Sequence, residues 1–260
     1  MSILNYLVSD QQPGIEDAPW VTLIHGLFGS LDNLTMLRRH LQEKFRVLSI
    51  DLPDHGKSAH TEQFSFEEYA ERIIATLEHV GINRCHLVGH SLGGKISMQI
   101  AMQHPDVLDK LVVADIAPVN YTPRHDNVFK GLRNVDLDAL QSRQHANEML
   151  SVYVREPGTR QFLLKSLYQE EGKWQWRFNL STLEKDYSKL IGAIDDNPPF
   201  SGDVLFIKGQ HSDYITAEHR EEIAKRFPRS KAKIIQGTGH WLHAEKPQVF
   251  NRIVDDFLSN

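Results

Sequence analysis

The chain has 260 residues, enough for one large domain or one domain carrying an insertion, and long enough to bury a core without disulfide or metal staples. Apolar residues make up 40% and charged residues 24%, a globular composition that excludes disorder. Lys and Arg number 29 against 34 Asp and Glu, a net charge of -5 with no basic stripe, which argues against a nucleic-acid surface or an anionic-membrane anchor.

No apolar run approaches the ~18 residues of a membrane helix. The opening Met1-Ser2-Ile3-Leu4-Asn5-Tyr6 has no basic region and no cleavage site, so the expected location is the cytoplasm. The single Cys85 allows no internal disulfide and no multi-cysteine zinc site, and reads as a small core residue.

In chain order, Ile3–Val8, the turn Gln11-Gln12-Pro13-Gly14 and Trp20–His25 suggest an antiparallel hairpin, with Val21–Ile24 as its buried part. Leu34–Leu41 reads as a helix and Val47–Ile50 as a buried strand. Phe66, Tyr69, Ala70, Ile73, Ile74, Leu77 and Val80 recur at helical spacing, with Ser65 and Glu68 as a capping box. The strand Cys85–Val88, the helix Gly93–His104 and the strand Leu111–Ala114 follow. From about Val119 to Asn197 no buried strand is visible, and the stretch reads as helices ending in the aromatic run Trp174-Gln175-Trp176-Arg177-Phe178. Pro198-Pro199 leads back to a strand at Val204–Ile207, a helix at Ala217–Phe227, a buried strand at Ala232–Ile235 and a last helix at Gln248–Leu258. Strand–helix alternation predicts an α/β fold, a mostly parallel sheet covered by helices on both faces. The core is expected at residues 1–118 and 198–260, with 119–197 as an inserted cap.

The segment Leu87-Val88-Gly89-His90-Ser91-Leu92-Gly93-Gly94 carries the chemistry. It is a G-x-S-x-G between a strand and a helix, the context of a nucleophile elbow. The turn is sharp, so Gly89 and Gly93 must be nearly free of side chain, and the strain lifts the Ser91 hydroxyl out at the carboxyl end of the sheet. The helix that follows supplies a positive field where an oxyanion forms. Gly89, Gly94 and Lys95 also fit a phosphate-cradling loop, but the magnesium-binding position is Ile96. Gly237-Thr238-Gly239 begins a dinucleotide fingerprint and fails at Leu242. No H-x-H-x-D-H cluster exists, so no metal is expected.

A serine needs a base and an acid to orient that base. Among 14 histidines, His240 is the one just past the last strand, in the loop Gly237-Thr238-Gly239-His240-Trp241. His243 reads as a helix-start residue. Two aspartates compete as the acid. Asp115 ends the strand beyond the elbow; Asp213 follows the next strand, the more usual position, and reads alternatively as a turn or cap residue with Ser212. The oxyanion hole needs two backbone N–H groups. One is assigned to Leu92, the other to Leu27 in His25-Gly26-Leu27-Phe28-Gly29, with Phe28 as the alternative donor. Phe28 and Trp241 are the expected substrate-binding side chains, and Phe129, Phe162, Leu163, Trp174, Trp176 and Phe178 either line an acyl pocket or pack the cap onto the sheet.

His25-Gly26-Leu27-Phe28-Gly29, Asp51-Leu52-Pro53-Asp54-His55-Gly56-Lys57-Ser58, Gly89-His90-Ser91-Leu92-Gly93-Gly94 and Gly239-His240 together resemble the α/β-hydrolase superfamily over essentially the whole chain. The runs Leu27–Leu34, Asp115–Val119 and Gly239–Pro247 look like the YbfF-type bacterial esterases. The resemblance implies an α/β-hydrolase fold with a helical cap inserted after the sixth strand, and an intracellular serine esterase or thioesterase acting on short-to-medium acyl esters and acyl-CoA. It maps the acid onto Asp115, although this chain also has Asp213 at the usual acid position. Asp51–Ser58 marks the family as a turn packed beside the site. No cofactor is implied; the expected partner is a small acyl ester or thioester, with no nucleic acid or membrane, and the chain a monomer or homodimer. Rival readings are a lyase or carbon–carbon bond hydrolase of the same fold and a non-catalytic ligand-binding module.

Overall fold

The computed structural model describes residues 2–10 and 13–260. Seven strands form one sheet: β1 (Tyr6–Ser9), β2 (Trp20–Ile24), β3 (Arg46–Ile50), β4 (Cys85–His90), β5 (Leu108–Ala114), β8 (Asp203–Gly209) and β9 (Ser230–Ile235), in the order β1-β3-β2-β4-β5-β8-β9. A second, two-stranded sheet holds β6 (Leu167–Glu170) and β7 (Lys173–Trp176). Helices α1 (Thr35–Leu41), α2 (Phe66–Val80) and α3 (Leu92–Gln103) lie between the first five strands. Between β5 and β8 come α4 (Asp126–Asn134), α5 (Arg143–Ser151), α6 (Pro157–Leu164), α7 (Leu180–Lys185) and α8 (Tyr187–Leu190). Then α9 (Arg220–Arg226), α10 (Leu242–Glu245) and α11 (Pro247–Ser259) complete the chain.

All pairings in the large sheet are parallel except β1 with β3. The expected opening hairpin is therefore absent. β2 pairs in parallel with both β3 and β4, so it has no free edge for β1, which joins β3 instead. Gln11 and Gln12 of the expected turn lie outside the described residues. With only β1 and β2 before α1, the insertion leaves the sheet after its fifth strand in chain order, not its sixth.

The core divides at the sheet. One cluster joins the α2–α3 side to the inserted segment through Tyr69, Ile73, Ile96 and Phe129. The other packs α1 and α11 on the opposite face through Leu37, Leu41, Phe250 and Val254. Helix α2 starts where its capping signal stands, but only half the box forms: Ser65 Oγ accepts from the Glu68 N–H, while the Glu68 carboxylate pairs with Arg72 at 2.7 Å. Gly81, left-handed, ends the helix.

Three further expectations change. The aromatic run is not a helical tail: Lys173–Trp176 pairs antiparallel with Leu167–Glu170 around Glu171 and Gly172, both at positive φ as a tight hairpin turn requires. Strand β9 is exposed along most of its length instead of buried, because it is the sheet edge; Lys231 and Lys233 on it discourage edge-to-edge pairing. The segment read as one helix from Ala217 opens with a 3-10 turn, Ala217–His219, before α9.

Candidate functional site

Ser91 stands between the end of β4 and the start of α3, at φ 52° and ψ -119°. Such backbone costs about 1–3 kcal/mol and persists only when its surroundings dictate it. Here the flanking glycines do so. A Cβ on Gly89 would run into the Gly93 carbonyl, and one on Gly93 into the carbonyls of Ile24 and His25. The serine is thus held up at the carboxyl end of the sheet, where β2, β4 and β5 also end.

His240 reaches this point from the loop after β9. Its Nε2 lies 3.0 Å from Ser91 Oγ and its Nδ1 2.7 Å from Asp115 Oδ2. Asp115 follows β5 directly, is fully buried and has φ 54°. Its Oδ1 accepts from the Gly209 N–H at 3.0 Å, and Oδ2 accepts from the Ser212 hydroxyl as well as from His240. A carboxylate with three donors on it keeps its position and fixes the imidazole tautomer with the proton on Nδ1, leaving Nε2 to accept from the serine.

Asp213 is elsewhere. It is largely exposed and its carboxylate pairs with Arg124 at 2.8 Å. The loop carrying Asp213 serves the site through its neighbours instead: Ser212 bonds Asp115, and the Tyr214 ring stacks on His240 with centroids 3.9 Å apart and planes at 18°. Arg124 covers the Tyr214 ring at 4.5 Å.

The loop after β2 is built by His25, whose Nδ1–H donates to the Gly26 carbonyl at 2.8 Å while Nε2 accepts from the Leu52 N–H at 3.0 Å. Burial pushes the His25 imidazole down to about 4, so it stays neutral and keeps that pattern. Gly29 N–H closes a turn onto the Gly26 carbonyl at 3.0 Å, and Phe28 sits at φ 61°. Among the described residues neither the Leu27 nor the Leu92 N–H has a protein acceptor, and Gly26 lies against Ser91. The Asp51–Ser58 turn packs behind: the Asp51 carboxylate accepts from the N–H groups of Leu31 and Lys57.

A cavity of about 380 Å³ opens over Ser91 and His240. Leu27, Phe28, Leu92 and Trp241 line it, as do Phe162 and Leu163 from α6. Phe129, Trp174, Trp176 and Phe178 do not reach it. Phe129 and Phe178 pack edge-on to Phe28, Trp176 stacks on Phe178, and Trp174 rests against the same cluster.

Lys95 does not cradle a phosphate. Its amine donates to the carbonyls of Val119, Ile191 and Gly192, tying α3 to both ends of the inserted segment. Burial pushes this amine down to about 7, against three acceptors that favour the ammonium form. Cys85 is a buried thiol pushed up to about 12, an inert core residue. No group of three or more metal-ligating side chains is found among the described residues, nor any helix long and apolar enough to cross a membrane.

The family model for the alpha/beta hydrolase fold matches residues 19–247. The chain belongs to the α/β-hydrolase fold family. Esterases and lipases are among its relatives. It is 38% identical over 249 residues to the sn-1-specific diacylglycerol lipase ABHD11 of Mus musculus, covering 93% of this chain and 81% of the relative. It is 36% identical over 241 residues to Esterase YbfF of Escherichia coli K12, covering 92% and 93%. The solved structure of a marine microorganism esterase superposes with a TM-score of 0.94 at 32% identity, over 99% of this chain and 100% of that one. This α/β hydrolase is of the esterase and lipase kind.

Sequence reading missed Ser212 as a partner of Asp115, Tyr214 as the flank of His240, and His90, whose Nε2–H donates to the His240 carbonyl at 2.9 Å. His90 was legible only as a residue of the elbow. Ser212 and Tyr214 carried a signal, since they flank Asp213 after a core strand, but that signal pointed to the aspartate.

Proposed function

We propose that this α/β hydrolase is a serine esterase and thioesterase that works through an acyl-enzyme formed on Ser91. The observation that carries the proposal is the continuous path from Ser91 Oγ through His240 to Asp115, at 3.0 and 2.7 Å. His240 takes the Ser91 proton as Oγ attacks the acyl carbonyl. The N–H groups of Leu27 and Leu92 receive the oxyanion. His240, held by Asp115, then gives its proton to the leaving alcohol or thiol. A water activated by the same imidazole attacks the acyl-enzyme and releases the acid, so no cofactor is needed.

Residues 119–197 act as a cap that shapes the cavity, with Phe28, Trp241, Phe162 and Leu163 holding a short-to-medium acyl chain. A volume of about 380 Å³ suits one such chain and part of its leaving group. The lone buried Cys85 fits a reducing cytoplasm, with the chain a monomer or homodimer. Lyase or carbon–carbon bond chemistry on the same serine and histidine is the competing outcome.

A rate profile with p-nitrophenyl esters of increasing acyl length, beside the matching acyl-CoA thioesters, tests the proposal. Brisk hydrolysis of butyrate, falling off for long chains, is expected with both leaving groups. Hydrolysis of neither removes the reading, and hydrolysis of esters alone removes its thioester half.

A further inference from the structure

His125, just before α4, sits in the wall of the cavity and takes no part in the proton path from Ser91 to Asp115. Its Nδ1 is 2.6 Å from the Tyr187 hydroxyl. That phenol oxygen also accepts from the backbone N–H of Arg124 at 3.3 Å. An amide N–H only donates, so it takes a lone pair of the oxygen and not its proton. The single phenol proton has no other acceptor among the described residues, and it therefore goes to His125 Nδ1. With Nδ1 accepting, the ring proton is on Nε2. Burial pushes the imidazole down to about 4, so at neutral pH that is the ring's one N–H. Among the described residues Nε2 has no partner, and it is not sealed within the protein.

The neighbouring lining residues either carry no polar group or have theirs engaged: Lys95 donates to three carbonyls, Arg124 pairs with Asp213, and the Tyr121 hydroxyl donates to the Tyr214 carbonyl. His125 packs edge-on to Phe28 at 6.4 Å and to Tyr187 at 5.6 Å, and Val128, Leu190 and Ile191 complete the surface around it. A lone N–H in such a wall is satisfied by water until a substrate displaces it. A substrate that brings only hydrocarbon leaves the donor buried and unpaired, while one that brings an oxygen does not.

We propose that the His125 Nε2–H reads a second oxygen on the substrate, away from the scissile carbonyl, so that the hydrolase prefers oxygenated acyl or alcohol groups to plain alkyl ones. This rests on the Ser91 esterase reading. The second oxygen is an ether, hydroxyl or further carbonyl, carried by the acyl chain or by the alcohol.

The test has two arms. In one, p-nitrophenyl hexanoate is compared with isosteres in which a chain methylene is replaced by an ether oxygen at the third, fourth or fifth atom. In the other, butyl butyrate is compared with its 2-methoxyethyl isostere. The preference for oxygenated over all-carbon substrate in kcat/KM is measured for wild type and for His125→Phe, so that intrinsic ester reactivity cancels. In at least one arm the wild-type preference is expected to exceed that of His125→Phe by about tenfold. His125→Asn, which keeps a donor, should retain part of it. Tyr187→Phe, which removes the group fixing the tautomer, should lower it without abolishing it. Thermal melts identify any variant that fails to fold, and then Tyr187→Phe alone decides. Equal preferences in wild type and variants, with hydrolysis still dependent on Ser91, overturn the inference and leave the esterase reading intact. Loss of all Ser91-dependent hydrolysis in wild type overturns both.

Discussion

Replacing Asp115 by asparagine separates the two candidate acids. The Asp115 carboxylate receives the Gly209 N–H on one oxygen and both the Ser212 hydroxyl and His240 Nδ1 on the other. An asparagine keeps the Gly209 bond only with its carbonyl at Oδ1, which turns its NH₂ toward His240. The imidazole must then accept at Nδ1, and its proton moves to Nε2, facing Ser91, where no base remains. The opposite amide orientation sets NH₂ against the buried Gly209 N–H, an unsatisfied pair costing about 1–3 kcal/mol. The first arrangement wins, and kcat for p-nitrophenyl butyrate should fall by about 10³–10⁴-fold, or about 4–5.5 kcal/mol in the barrier. Asp213→Asn removes only an exposed pair with Arg124, worth about 0–1 kcal/mol, and should leave kcat within about threefold of wild type. Equal, small losses in the two variants would refute this reasoning, as would a larger loss for Asp213→Asn.

Gly93→Ala should prevent the elbow from forming, since its Cβ meets the carbonyls of Ile24 and His25; expression as insoluble protein, or a soluble protein without activity and with a melting temperature lowered by many degrees, is the expected outcome. Tyr214→Leu should lower kcat by about fivefold while Tyr214→Phe keeps it, because the ring face against His240 holds the imidazole and the hydroxyl does not. Stability should fall on acidification. Burial holds His25 at about 4 and His55 and His243 at about 3, all below their unfolded value, so between about pH 6.5 and 4 the unfolded chain binds protons that the folded one refuses. Each such histidine contributes up to about 1.4 kcal/mol per pH unit in that window, and denaturant melts from pH 7 to 5 should show the loss. A flat profile would contradict the buried neutral imidazoles.

The strands that pack on both faces were legible because burial on two sides makes a run of Val, Ile and Leu, as at β4 and β5. The elbow was legible because the sharp turn needs Gly89 and Gly93. The opening hairpin misled because local turn chemistry at Pro13-Gly14 says nothing about which edge of β2 is free; β3 and β4 take both. The hairpin of β6 and β7 was hidden because it is short and stands apart from the large sheet, and its aromatics suit either state. Asp115 was favoured from the sequence, as a charge beside an apolar strand that needs a partner and through the family resemblance, but Asp213 stayed a rival because each follows a core strand. The difference lies in side-chain direction: Asp115 turns inward at positive φ, and Asp213 turns out to Arg124. Ser212, Tyr214 and His90 act through contacts between distant segments, which no local pattern encodes.

In the proposed reaction the Ser91 hydroxyl, activated by His240, is the nucleophile. Intact-protein and peptide mass spectrometry after incubation with a fluorophosphonate tests it most directly. One adduct is expected, on the peptide carrying Ser91, absent from Ser91→Ala and slowed severely in His240→Ala. No adduct on wild type under conditions that label other serine esterases, or the same adduct on Ser91→Ala, would contradict it.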